Sequence, residues 1–299
     1  MGYRSIDNLY KDKTILLEEE VYAMEKIHGT SAHLKWNDGN LHLYSGGESS
    51  TSFSALFNVD KIKQLFSQLS LILDCKHIIV YGEAYGGKQQ RNAWRYGPNL
   101  KFVAFEVFAD PKWLTVPEAE KAAKYLGLEF VHYVRIPTKL ELIDAERDAI
   151  SEQAIRNGVT TRDGEFIRRE GVVLRTVDEK VDRFGNRILA KHKRAEERET
   201  KTERKVDDTK VQLIKEGNAI AEEYVTEMRL CHVLQKLPPP EINDMTRTRE
   251  VISAMITDVE KEAGDEIVMS EQARAAIGRA TAKLLKKHLE ESLRNENRG

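Results

Sequence analysis

The hydrophobic pattern changes its period once along the chain, and that change limits the fold to two unlike parts. From Val21 to about Lys193, apolar residues fall in short runs rich in Val, Ile, Phe and Tyr, separated by Gly, Asn and Asp. Ser31 to Trp36, the turn Asn37-Asp38-Gly39-Asn40 and Leu41 to Tyr44 predict a hairpin. Further strands are predicted at His77 to Tyr81, Phe102 to Phe108, Glu170 to Arg175 and Arg187 to His192. Helices are predicted between them, around Val59 to Leu73, Pro117 to Leu126 and Lys139 to Asn157. Beyond Ala195 a charge run, Glu196 to Lys205, holds no apolar residue, and no strand signal follows it. Val206 to Leu237, Thr246 to Ala263 and Ser270 to Arg294 then carry helical spacing, broken by Pro238-Pro239-Pro240 and Gly264. The expected fold class is α+β, with a mixed domain over residues 1–205 and a smaller all-α domain over 206–299.

A chain of 299 residues buries enough surface for two such domains without staples. Its two cysteines, Cys75 and Cys231, match no zinc spacing and no disulfide framework, which suits a reducing compartment. With no apolar run long enough to span a bilayer, the expectation is a soluble cytoplasmic protein, with no membrane partner and no need to be more than a monomer. The formal net charge of -2 gives no overall attraction to nucleic acid, so such a role must rest on local patches.

Within the first part, Met24-Glu25-Lys26-Ile27-His28-Gly29-Thr30 sets a lysine among polar groups in a strand-like stretch, with glycine close behind. Taken alone, Lys26 also reads as a lysine on a strand edge. As a nucleophile toward phosphorus it must act as a neutral amine, and Gly29 then allows close approach of backbone to phosphate. Four later segments bring groups that covalent nucleotide transfer needs. Tyr81-Gly82-Glu83 ends a strand with a carboxylate suited to a ribose, and Phe102-Val103-Ala104-Phe105-Glu106 offers an aromatic face for a base. Glu170-Gly171-Val172-Val173 supplies a carboxylate for a metal contact through water. Leu189-Ala190-Lys191-His192-Lys193 places two lysines on one strand face, as a triphosphate requires. Taken singly, Glu83, Glu106 and Glu170 are more often solvated strand-end carboxylates and Lys191 and Lys193 an exposed sheet face, and their order along one chain is the specific signal.

These residues resemble the covalent nucleotidyltransferase superfamily, and within it the ATP-dependent RNA ligases of the RNA ligase 2 family. The Lys-x-His-Gly motif discriminates, because DNA ligases and capping enzymes typically carry aspartate where His28 stands. The opening Tyr3-Arg4-Ser5-Ile6-Asp7-Asn8 is similar to the family's N-terminal segment, and Ala221 to Leu230 to the start of its helical domain. The resemblance implies a nucleotidyltransferase domain with antiparallel sheets, followed by the all-α domain. It implies that Lys26 carries AMP, that Glu25, Ile27 and Phe105 hold adenine, that Tyr3 approaches the nucleotide, and that Glu83 binds ribose. Glu106 and Glu170 organise Mg2+ or Mn2+, Lys191 and Lys193 contact phosphates, and His28 supports the lysine chemistry. The implied substrates are ATP and RNA, as nicked or bridged duplex ends.

Two positions depart from the family pattern. No arginine follows the first hairpin, where Ser45-Gly46-Gly47-Glu48 stands, so its phosphate contact passes to the Gly46-Gly47 amides, Lys88 or Arg91. Ser31 replaces an asparagine, keeping a shorter hydrogen-bonding arm. The competing readings are a DNA ligase or capping-type guanylyltransferase, and a non-catalytic nucleic-acid-binding module derived from a ligase.

Overall fold

The computed structural model describes residues 3–89, 92–161, 163–182, 185–197, 208–237 and 247–296. Arg91, most of the charge run after Ala195 and the three prolines at 238–240 lie outside the described residues. The chain divides into two compact units, residues 1–206 and 207–299.

The first unit is built on two antiparallel sheets. One has the order β7-β1-β8-β9, from β1 (Glu20–Glu25), β7 (Tyr133–Pro137), β8 (Gly171–Thr176) and β9 (Leu189–Lys193). The other has the order β3-β2-β4-β5-β6, from β2 (Gly29–Asn37), β3 (Asn40–Ser45), β4 (His77–Tyr85), β5 (Lys101–Ala109) and β6 (Lys112–Trp113). The β2-β3 hairpin turns through Asp38 and Gly39, both at positive φ (45° and 91°), the two-residue geometry that matches strand twist. Helix α1 (Ser50–Ser54) follows β3, and α2 (Val59–Ile72) starts at Asn58, whose side chain caps Lys61 N. Helix α3 (Val116–Tyr125) starts with a Thr115–Glu118 capping box. Ile62, Phe66 and Leu69 of α2 recur at helical spacing and join Trp36, Ile78, Val80 and Val107 in one core.

Two differences from the sequence expectation have local causes. The single helix expected over Lys139 to Asn157 is two, α4 (Leu140–Arg147) and α5 (Glu152–Arg156), because Ser151 is extended and its side chain caps Ala154 N. Strands β6 and β7 went unread. β6 is a two-residue edge, and β7, Tyr133-Val134-Arg135-Ile136-Pro137, ends in the proline that an edge strand tolerates.

The second unit is helical, with α6 (Asp208–Tyr224), α7 (Glu227–Lys236), α8 (Thr248–Ala263) and α9 (Glu271–Glu296). One stretch expected as a continuous helix restarts at Thr226, whose side chain caps Arg229 N. Leu230, Val233, Val251, Met255, Val259, Ile277 and Leu285 form its core. At Gly217 an added Cβ would stand 2.9 Å from the Ala273 backbone, so the glycine permits α6 to approach the start of α9. Basic side chains of this unit pair with carboxylates: Lys287 with Glu227 at 2.6 Å and Arg247 with Glu250 at 2.6 Å. Among the described residues, no helix is long and apolar enough to cross a membrane.

Candidate active site

Strand β1 ends at Glu25 in one sheet and β2 begins at Gly29 in the other, so Lys26-Ile27-His28 is the crossing between them. The crossing is tied on both sides. Lys26 N donates to the Gly171 carbonyl at 3.0 Å, and His28 N donates to the Tyr96 hydroxyl at 3.2 Å. Gly29 is demanded here by packing, since a Cβ would collide with the Ala84 carbonyl and stand 2.9 Å from Glu83 Cγ. Close approach to β4 by itself requires glycine here.

Glu170 immediately precedes β8 and lies beside the crossing. Lys26 Nζ donates to its Oε2 at 3.0 Å, Lys193 Nζ lies 2.9 Å from its Oε1, and His28 Nδ1 is 3.6 Å from Oε2. Burial opposes ionisation of Glu170, but His28, Lys26 and Lys193 outweigh it and hold the carboxyl at about 2. Glu83, on β4, has the opposite balance. Its burial raises the carboxyl to about 7, Lys26 opposing and Glu170 reinforcing the shift. Two carboxyls of very different basicity therefore flank one lysine.

A cavity of about 270 Å³ opens between the sheets from this lysine. Met24, Ile27, Val131, Val173 and Phe105 give it apolar walls, while Lys26, Ser31, Glu83 and Lys191 supply polar groups. Phe105 and Glu106 both line it, although neighbours in a regular strand face opposite ways. The register shift between Tyr81 and Gly82 resolves this: Tyr81 pairs with Glu106 and Gly82 with Ala104, leaving Phe105 as the extra residue of a bulge.

Tyr3 packs across Phe105 and Tyr81, with ring centroids 5.1 and 5.2 Å away. Burial, then the charge of Glu106, pushes its phenol well above the usual range. The segment Tyr3 to Ile6 lines the cavity, and the chain then joins β9, where Lys191 N donates to the Asp7 carbonyl at 2.9 Å and Leu9 N to the Lys191 carbonyl at 2.9 Å.

The structure thus gathers Tyr3, Glu25, Lys26, Ile27, Ser31, Glu83, Phe105, Glu106 and Lys191 around one cavity, with His28, Glu170 and Lys193 beside the lysine. Three expectations take a different form. Glu106, expected at a metal, is 1% exposed and held by Arg187 at 2.6 Å and Arg175 at 3.2 Å; burial opposes its ionisation, but the two arginines hold it low. Glu25 directs its carboxylate into the start of α5, accepting from Ser151 Oγ at 2.5 Å and Gln153 N at 3.3 Å, so any contact it makes with a base is through its backbone. Gly46 N donates to the Ser31 carbonyl at 3.0 Å, which removes that amide from the anion-binding role considered for it. Lys88 is exposed on the loop after β4.

Arg175, Arg187 and Tyr96 were not singled out from the sequence. Arg175 ends the predicted strand Glu170 to Arg175, and its alternation with the core residues Val172 and Leu174 gives no sign that it is 2% exposed. Arg187 lies 4.1 Å over the Trp113 ring and Tyr96 reaches His28 from 68 positions away, contacts with no local signal. Among the described residues no group of three or more His, Cys, Asp or Glu could hold a metal.

No curated protein matches the chain. Among solved structures, variants of Naegleria gruberi RNA ligase are similar to this chain. One bound to ATP and manganese has a TM-score of 0.50 and 14% identity, covering 66% of this chain and 56% of that one. A second with the same ligands has a TM-score of 0.49 and 14% identity over 64% and 56% of the two chains. A third with AMP and manganese has 0.48 and 14% over 66% and 59%. The chain therefore spans little more than half the length of these relatives. Residues 19–193, more than half of the chain and including the lysine crossing, Glu83, Glu170 and both β9 lysines, match the family described as RNA ligase, and the chain belongs to that family.

Proposed function

We propose that this chain joins RNA 3'-hydroxyl and 5'-phosphate ends in an ATP-dependent reaction that passes through a Lys26–AMP intermediate. The observation that carries the reading is the placement of Lys26 at the sheet crossing, 3.0 Å from Glu170 and at the mouth of an apolar cavity between the sheets. In the first step Lys26 Nζ forms a bond to the α-phosphorus of ATP, the α–β phosphoanhydride breaks, and pyrophosphate leaves. Lys26 must shed a proton. Glu170, held at about 2, is too weak a base for it, whereas Glu83, at about 7 and within Coulomb range of Lys26, has the basicity required. Adenine fits between Phe105 and Val173, under Tyr3, and Lys191 and Lys193 face the phosphates. The AMP then passes to a 5'-phosphate of RNA, and a 3'-hydroxyl attacks that phosphate and releases AMP.

A divalent ion in a nucleotide site is commonly held by one or two carboxylates, water and substrate phosphates. Glu170 and Glu83 suit a contact through water, and Glu106 does not, because two arginines occupy it. When bound, magnesium or manganese offsets charge on the phosphates and on departing pyrophosphate. Residues 1–205 are the proposed adenylyltransferase domain and 206–299 the proposed domain that positions a nicked or bridged duplex.

Incubation of the wild type and Lys26→Ala with α-labelled ATP and a divalent metal, followed by denaturing electrophoresis, tests the reading. Label is expected on the wild type alone. Label on both proteins, or from GTP alone, would overturn it.

A further inference from the structure

A lysine that attacks phosphorus in line must have its backbone fixed as well as its amine, because a long flexible stem separates the two. Glu170 steers the amine, 3.0 Å from Lys26 Nζ. The backbone, however, lies in the crossing between β1 and β2, outside both strands. What holds it there is a circuit of buried polar side chains.

The circuit starts at Glu25, immediately before Lys26, whose carboxylate accepts from Gln153 N at 3.3 Å and from Ser151 Oγ at 2.5 Å. Gln153 is 1% exposed, and its Nε2 donates to the Tyr85 hydroxyl at 2.8 Å and to Glu129 Oε2 at 3.0 Å. The buried ring of Tyr85 meets that of Tyr96 edge-on, with centroids 5.3 Å apart. The Tyr96 hydroxyl then accepts from His28 N at 3.2 Å, two residues beyond Lys26. Asn157, the residue that ends α5, pins Tyr96 a second time by donating from Nδ2 to its carbonyl at 3.0 Å. Contacts that begin before the lysine thus return after it, by way of α5 and the loop between β4 and β5. Gln153, Tyr85 and Tyr96 are not among the residues that line the cavity. Burial requires each of these polar groups to be paired. It does not require the pairs to end on both flanks of one lysine.

We propose that Gln153 and Tyr96 are positioning residues for the adenylylation of Lys26, bracing the two ends of its crossing so that the amine meets the α-phosphorus in line. The inference rests on the ligase reading and adds to it two residues that act through Glu25 and His28 rather than on the nucleotide. Because the cavity walls and the β9 lysines stay in place without them, the brace governs the rate of the step and not the binding of ATP.

The test measures single-turnover transfer of label from α-labelled ATP to the full chain, with manganese, over a range of ATP concentrations. Tyr96→Phe removes the hydroxyl and keeps the ring against Tyr85, and Gln153→Met removes the donor and keeps the length. Each should lower the maximal rate about 10- to 100-fold while shifting the half-saturating ATP concentration less than about twofold. Wild-type maximal rates in both variants, or a higher half-saturating concentration with an unchanged maximal rate, overturn the proposal. A second measurement uses the native protein and so does not depend on how the variants fold. Hydrogen exchange followed by NMR should show the His28 amide protected like the interior amides of β2, and exchange at an unprotected rate overturns the brace. Absence of label on the wild type removes the ligase reading and this proposal with it; label on the wild type with unchanged rates in the variants removes this proposal alone.

Discussion

Replacing Glu83 by glutamine should make the first unit more stable at pH 8 and leave it almost unchanged at pH 5. Burial raises this carboxyl from an ordinary 4.5 to about 7. Because the folded state holds the proton more tightly than the unfolded state, folding takes up a proton between those values. The stabilisation is complete below pH 4.5 and is lost as pH rises through 7. A shift from 4.5 to about 7 is worth roughly 3 kcal/mol at about 1.4 kcal/mol per unit. Glutamine carries no charge to desolvate, so Glu83→Gln removes that penalty, less about 1 kcal/mol for the weaker acceptance from the Gly29 amide. A net gain of about 2 kcal/mol at pH 8 is expected. Urea unfolding followed by tryptophan fluorescence isolates the effect, since Trp36, Trp94 and Trp113 all belong to the first unit. Other carboxylates titrate alike in both proteins and cancel in the difference. Equal differences at pH 5 and pH 8, or a variant less stable at pH 8, would refute the account of Glu83 as a carboxyl whose basicity is raised by burial.

Two further outcomes follow from the packing. Gly29→Ala forces a Cβ toward the Ala84 carbonyl and should cost about 1–3 kcal/mol, visible as a lower thermal midpoint, and an unchanged midpoint would mean that β2 and β4 can separate freely. Glu106→Gln leaves Arg175 and Arg187 facing a neutral amide with only Glu179 for charge, and should cost about 3–5 kcal/mol in urea unfolding; a loss below about 1 kcal/mol would show that Glu106 is not their ionic anchor.

The sequence announced the strands that carry chemistry because each is a run of β-formers ended by turn residues, as at β2, β4, β5 and β8. It could not say which strands share a sheet. Lys26 looked like a residue within a strand, whereas it lies between two strands that pair with different partners, a fact set by β8 and β4 more than fifty residues downstream. Phe105 and Glu106 were both named, but strict alternation would have sent one of them away from the cavity; the bulge that reconciles them is visible only in the pairing with β4. Glu106 gave a carboxylate without a partner in sequence, and its partners Arg175 and Arg187 are supplied by the other sheet and the loop before β9. The helix expected over Lys139 to Asn157 failed where Ser151 serves Glu25, a residue 126 positions earlier. Local chemistry is legible in a chain, and the assignment of distant partners is not.

The three-residue crossing at Lys26 has a consequence for how such a site can change over time. Adding one residue there would turn every side chain of β2 to the opposite face, sending Ser31 and His33 where Ala32 and Leu34 now pack. Deleting one would do the same. The spacing between Glu25 and Gly29 is therefore as constrained as the lysine it carries. A designer wishing to transplant the lysine cannot lift it as a loop; both sheets must travel with it.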